Sequence, residues 1–307
     1  MTVAPAATAD PRAVLGANAI CFASMLAWAA GLYAADPLVR LVPAIPLTAL
    51  RIGVAGIAMG LVWWGMEGRA ALARADWARG LPIGAVTFSV GAVLLAVAQA
   101  RTDAVTVSII TASMPVIGLA LEVALDGRRI TGAFVLGLLL SLAGGLVALA
   151  SRGLTLDLGL GALAALGSCL AFTWGSRATV VHLPAMTPLG RTSITVLGGT
   201  LGGLAFAAAW WAIGGAGVPW ASVGGAEAGA LLLYGLAGIA LSQILWIVAV
   251  ERIGVANAAL HMNAVPFLVM LLAFAFGAAW DWARAGGAAV VVLGVLVAQG
   301  LIRPPAR

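Results

Sequence analysis

Polar residues are scarce along this chain and gather in short clusters that separate long apolar runs. Ten such runs stand out: Val14–Ala34, Ile45–Trp64, Gly80–Ala100, Ala104–Leu125, Ile130–Ala150, Gly159–Val180, Pro188–Ile213, Ala228–Val250, Ala256–Ala278 and Ala285–Ile302. Each is close to the ~20 residues that a helix needs to cross the hydrocarbon of a bilayer. All are expected to be helices, because backbone that faces lipid must satisfy its own hydrogen bonds. The corners are short, and none leaves room for a soluble domain.

Two stretches repeat. Residues 98–115 and 249–266 each leave one apolar run, turn through a charged corner and enter a second run carrying a proline. Arg101 and Pro115, like Arg252 and Pro266, are 14 positions apart. Residues 91–120 and 242–271 align without a gap, and Leu94, Val97, Ala98, Arg101 and Pro115 meet identical residues. More loosely, Leu15, Gly16 and Ala17 answer Leu160, Gly161 and Ala162. Arg51 after Pro46 answers Arg191 after Pro188, and Trp63 and Trp64 answer Trp210 and Trp211. The expected organisation is one all-α polytopic membrane domain of ten transmembrane helices, built as two five-helix repeats, residues 14–150 and 159–302. Five is odd, so the second repeat is inverted relative to the first. Inverted repeats recur in transporters, with the substrate site near the midplane where they meet.

Composition agrees. Of 307 residues 63% are hydrophobic and 9% charged, with a mean hydropathy of +1.11; soluble domains carry about 25% charged residues. The net charge of +5 comes from arginine alone, since there is no lysine. The arginines are scattered through the corners, which argues against a nucleic-acid surface and for orientation in the membrane. With the N-terminus cytosolic, the cytosolic side holds Arg12, Arg69, Arg74, Arg79, Arg128, Arg129, Arg177, Arg191, Arg252, Arg303 and Arg307. The other side holds Arg40, Arg101, Arg152 and Arg284, with Arg51 inside a run. Both termini are therefore expected in the cytosol, in a bacterial-type inner membrane. The first run, too long for a cleavable leader, is expected to be retained.

The ten runs, Arg51 early in the second, Pro115 and Pro266 in the fourth and ninth, and the glycines of the fifth and tenth (Gly137, Gly144, Gly145; Gly286, Gly287, Gly294) give the chain a resemblance. It resembles the drug/metabolite transporter superfamily, EamA type, and within it is most similar to the YddG-like amino-acid exporters. The resemblance implies a central cavity lined by Trp28, Trp174, Ser89, Met114, Ser242, Trp246 and Asn263. Where exporters of aromatic amino acids place tyrosine or tryptophan, this chain has Ser89, Ala112 and Met114, which does not favour large aromatic substrates.

Several residues have two readings. Trp28, Trp174 and Trp246 lie within runs, either packed or offering an indole face to an ammonium, worth about 2 kcal/mol when desolvated. Trp63, Trp64, Trp77, Trp210, Trp211, Trp220, Trp280 and Trp282 sit at run ends, where an interfacial belt accounts for them. Arg51 either snorkels to the interface or clamps a carboxylate inside the bundle. Gln243, His261 and Asn263 face a polar cavity, or His261 is a packed neutral imidazole. Pro115 and Pro266 are expected to bend their helices and free the carbonyls of Thr111 and Met262, leaving them for a substrate ammonium or water. Glu122 is expected to pair locally with Arg128 or Arg129. Cys21 and Cys169 read as small buried hydrophobes.

The function so implied is secondary transport: export of small metabolites, foremost amino acids, from the cytosol by alternating access. Other small amphipathic metabolites or drugs are the alternative cargo. An intramembrane enzyme is the remote alternative, since only His182 and His261 are present and no carboxylates pair mid-run. No catalytic residue, metal or cofactor is expected. The expected partners are a small-molecule substrate and membrane lipids, in a monomer or weak homodimer.

Overall fold

The computed structural model describes residues 11–102, 104–147 and 159–302. Arg152, Arg303, Arg307, the N-terminal residues 1–10 and the end of the fifth run lie outside these.

The described residues are helical, without strand. In chain order the long rods are α1 (Pro11–Ala34), α2 (Ala44–Arg74), α3 (Trp77–Arg101) and α4 (Ala104–Ala112 continued by Met114–Asp126). Then come α5 (Gly132–Val147), α6 (Leu160–His182), α7 (Pro188–Ala212), α8 (Gly225–Ile253), α9 (Val255–Ala275) and α10 (Trp282–Ala298). Six of them are long and apolar enough to cross a membrane, or seven if the two pieces of α4 form one span; α5 and α10 are shorter apolar helices. This is an integral membrane protein.

The corners are set by local chemistry. Asp76, Thr187 and Asp281 cap α3, α7 and α10 by accepting the backbone N–H of Arg79, Gly190 and Arg284 at 3.2, 3.0 and 3.0 Å. Each satisfies one of the donors that a helix N-terminus leaves open. Thr131 serves α5 in the same way, accepting from Phe134. Gly254, at φ +79°, makes the one-residue corner between α8 and α9.

Interruptions inside the rods recur at one spacing. π-helical turns occupy Ala85–Val90 in α3 and Leu236–Leu241 in α8, an offset of 151 residues. Helix restarts at Met114 in α4 and at Val265 in α9, again 151 apart, each time one residue before a proline. Proline is tolerated there, because the first turn of a helix has no carbonyl waiting for its N–H. The two prolines do not behave alike. At Ser113, α4 bends by 40°. In α9 the chain tightens into the 3-10 turn Leu260–Ala264, and Val265 donates to the Met262 carbonyl. That carbonyl is thus already partnered, contrary to expectation. Pro115 is buried, whereas Pro266 faces outward.

The rods pair as α5 with α10, α2 with α7, α4 with α9, α3 with α6 and α1 with α8. At α5–α10 the backbones touch: a Cβ on Gly144 would lie 2.6 Å from the Gly287 carbonyl, and one on Gly287 2.9 Å from that of Gly144. Small residues permit this approach, which lets dispersion act where lipid offers no hydrophobic drive. Ser and Thr hydroxyls add cross-links. Thr200 on α7 donates to the Ile52 carbonyl on α2, and Ser24 on α1 donates to that of Ser242 on α8.

Candidate functional site

The largest buried cluster lies where α1, α4, α6, α8 and α9 converge, and an aromatic row runs through it. Trp28 of α1 sits 6.2 Å from Phe172 of α6, centroid to centroid, and Phe172 sits 5.7 Å from Trp246 of α8. The Trp246 indole donates to Ser176 Oγ at 2.9 Å, which fixes its orientation. Met25, Met114 and Met262 pack into the same cluster with Cys21 and Cys169. Thioethers and rings form a soft, polarisable lining that accommodates varied shapes.

Two polar groups here lack partners. The Trp28 Nε1–H is sealed from solvent and finds no acceptor among the described residues. Buried donors are nearly always satisfied, so an exception calls for a partner from outside the chain. Gln243, three residues before Trp246 on α8, is buried, and its amide makes no hydrogen bond among the described residues.

The structure brings together Trp28, Met114 and Trp246, with Ser242 and Gln243 on the adjoining turn of α8. It does not bring the others to the row. Trp174 is half-buried on α6, two residues past Phe172 and so about 200° round the helix. Ser89 donates to the Gly199 carbonyl at 2.7 Å and lines a void of about 10 Å³ between α2, α3 and α7. Asn263 donates to Ser141 Oγ at 2.9 Å, tying α9 to α5. Arg51 donates to the Tyr234 hydroxyl, with its guanidinium 4.8 Å from that ring's centroid, so it is held between α2 and α8 rather than snorkelling. Phe172, Met25 and Met262 were not legible as site residues. Their only signal is spacing: Met25 and Phe172 lie one helical turn or less from Trp28 and Trp174.

Charged groups gather at one end of the bundle. Glu122, at the end of α4, pairs with Arg128 as expected, and it also accepts the Ala256 N–H at the start of α9, 3.2 Å away. Arg128 reaches on to Asn257 Oδ1 at 3.3 Å. Asp126 binds Arg177 of α6 through two oxygens, the Nε contact at 2.8 Å. Arg191 of α7 pairs with Glu251 of α8. A Cβ at Gly254 would come within 2.6 Å of Glu122 Oε1, so this corner is as close as glycine allows.

The tryptophans at run ends divide. Trp64, Trp211, Trp220 and Trp282 are exposed, as a membrane belt requires. Trp63 is not part of one. It is only 1% exposed, packs 5.7 Å from Trp77 and donates to Glu67.

Known proteins share this arrangement in part. A solved structure titled "Crystal structure of protein" superposes with a TM-score of 0.77 at 23% identity, covering 94% of this chain and 99% of that one, a likeness of fold alone. The "Uncharacterized transporter YyaM" of Bacillus subtilis (strain 168) is 37% identical over 65 residues. That match spans about a fifth of the relative's length, 21% of each chain. Residues 15–150, from early in α1 to just past α5, match the EamA-like transporter family.

Proposed function

We propose that this protein is a secondary transporter that exports small metabolites, amino acids foremost, by alternating access. Its moving parts are two inverted five-helix halves, residues 14–150 and 159–302. The observation that carries this reading is the constant 151-residue offset of its irregularities: π-turn answers π-turn and proline-led restart answers proline-led restart. A duplicated fold with an odd number of spans per copy gives two opposed half-sites, and the aromatic row lies where they meet. The match of residues 15–150 to a transporter family supports the same reading.

The unpartnered Trp28 N–H and Gln243 amide suit a carboxylate, and the indole faces suit an ammonium. With soft apolar walls between them, the row suits a zwitterion with an apolar side chain. The test is counterflow: purified protein in liposomes preloaded with one unlabelled amino acid, and uptake of the same labelled amino acid from outside. Protein-dependent overshoot with at least one member of a twenty-amino-acid panel is expected. Overshoot only with amphipathic amines or drugs would move the cargo to the alternative class, and none with any solute would sink the reading.

A further inference from the structure

A second cavity lies away from the row. It is a cleft of about 230 Å³ between α1, α9 and α10, bounded by Leu15, Asn18, Phe22, His261, Val292 and Val295. Leu15, Phe22 and Val292 are 58%, 41% and 47% exposed, so the cleft opens sideways onto the lipid-facing surface. Its α1 wall runs from Leu15 to Phe22, seven residues or about 10 Å at 1.5 Å per residue.

The wall is apolar except in two places. Asn18 and Gln299 exchange amide hydrogen bonds, one at 2.8 Å, and so satisfy each other. His261 is different. It is 95% buried, and its Nδ1 faces the Asn257 carbonyl at 3.3 Å. A carbonyl can only accept, so Nδ1 carries the proton and the neutral ring's Nε2 keeps a lone pair. The Ala258 carbonyl on the same preceding turn is the ring's other backbone contact, no hydrogen bond is seen for Nε2 among the described residues, and His261 lines the cleft.

We infer that this cleft binds a neutral, hydroxyl-bearing hydrocarbon from the bilayer, a medium-chain or aromatic alcohol, with its O–H donated to His261 Nε2. Three features select that chemistry. No charged side chain lines the cleft, so an ion gains nothing there. The one open polar group is an acceptor, so the ligand must bring a donor. A dry cavity of ~150 Å³ takes a benzene, so this one suits a phenol or an eight-carbon chain. In hydrocarbon the alcohol has no competing partner, which makes His261 worth reaching.

The experiment uses the full chain in lipid nanodiscs, labelled with a diazirine-bearing octanol and mapped by peptide mass spectrometry. Adducts are expected on the segments around Phe22 and Val292. Octanol should compete for them, and octane should do so about tenfold less well, the ratio one hydrogen bond supplies. His261→Leu should erase that preference, and His261→Gln, which keeps an acceptor, should restore part of it. Val292→Trp, at a half-exposed position on the rim of the cleft, should block labelling while the melting temperature stays near that of the wild type. Equal competition by octane and octanol, or an unchanged preference in His261→Leu, would mean a bare lipid groove with water on the imidazole, and would overturn the proposal. No labelling of these segments in the wild type would overturn it as well.

Discussion

Trp28→Phe separates stability from function at the aromatic row. In the unliganded protein the Trp28 N–H is buried without an acceptor, a loss of about 1–3 kcal/mol that phenylalanine removes. Phenylalanine also gives up part of the indole's buried area, a cost of about 1–2 kcal/mol at the usual area coefficient. The two nearly cancel, so Trp28→Phe should melt within a few degrees of wild type in detergent. Trp28→Leu also loses the ring contact with Phe172, about 0.5–1.5 kcal/mol more, and should melt lower. Transport should follow another order. A hydrogen bond from the indole to a substrate carboxylate is charge-assisted, about 1.5–3 kcal/mol, so Trp28→Phe should raise the half-saturation concentration roughly 10- to 100-fold. Phe172→Leu should raise it less, since it removes a face and no donor. Trp174→Leu decides which side of α6 meets the substrate: little change favours the row, and a rise matching that of Trp28→Phe favours the pair Trp28 and Trp174. A Trp28→Phe protein with wild-type half-saturation would refute the argument, because the orphaned donor would then have no role in binding.

Three other outcomes are expected. In a background with Cys21 and Cys169 replaced by alanine, single cysteines at Ala73 and Ala216 should react with an impermeant maleimide from opposite sides of the membrane; reaction from one side would remove the inversion. Pro115→Ala should slow export without much change in the melting temperature, because it releases the backbone angle that proline fixes at the 40° bend, whereas Pro266→Ala should do less, since Val265 already holds the Met262 carbonyl. Glu122→Gln keeps an acceptor for the Ala256 N–H but loses the charge facing Arg128. Both groups are partly buried, so about 1–3 kcal/mol is at stake, read as a lower melting temperature and faster labelling of a cysteine at Asn257.

The helix boundaries were legible because they rest on one-dimensional signals. The rods begin and end within a few residues of the hydropathy runs, except α2, which continues past Trp64 to Arg74 through Gly68 at φ +73°. Glu122 and Arg128 could be paired because the chain itself keeps them close. What each helix turns toward its neighbours was not legible. These helices are apolar on all sides, so no stripe fixes their rotation, and a one-position rotation of ~100° decides between cavity and interface. Ser89, Asn263 and Arg51 were read as substrate-binding because they are polar residues within apolar runs, and the structure gives them Gly199, Ser141 and Tyr234 on other helices as partners. Phe172 was overlooked for the same reason: within its apolar run, nothing but its partner marks it. Trp63 shows the converse, a tryptophan at a run end that folds inward because Trp77 follows around the corner.

The polar contacts between the two proposed halves are unevenly placed, and this bears on how they would move. Glu122 with Ala256, Arg128 with Asn257 and Asp126 with Arg177 all join the first half to the second. All three lie where α4 and α6 end and α9 begins. Toward the other end, Arg51 with Tyr234 and Thr200 with the neighbouring Ile52 carbonyl make such links. Rocking the halves to open the first end must break three charge-assisted contacts, while opening the second breaks one such contact and one neutral hydrogen bond. Each is partly screened, so a difference of about 1–3 kcal/mol is reasonable, which alone biases a two-state equilibrium ~5- to 150-fold. By the arginine bias the tightly held end is expected to be cytosolic. An exporter biased this way rests facing outward, and its cargo must supply the free energy that opens the cytosolic end. A zwitterion held by Trp28 and Gln243 has the charge to do so only if it binds the inward-open arrangement more tightly than the outward-open one. The ion pairs at the cytosolic end and the orphaned donors at the row would then be two sides of one balance: the first sets the resting state, and the second selects which molecules can leave it.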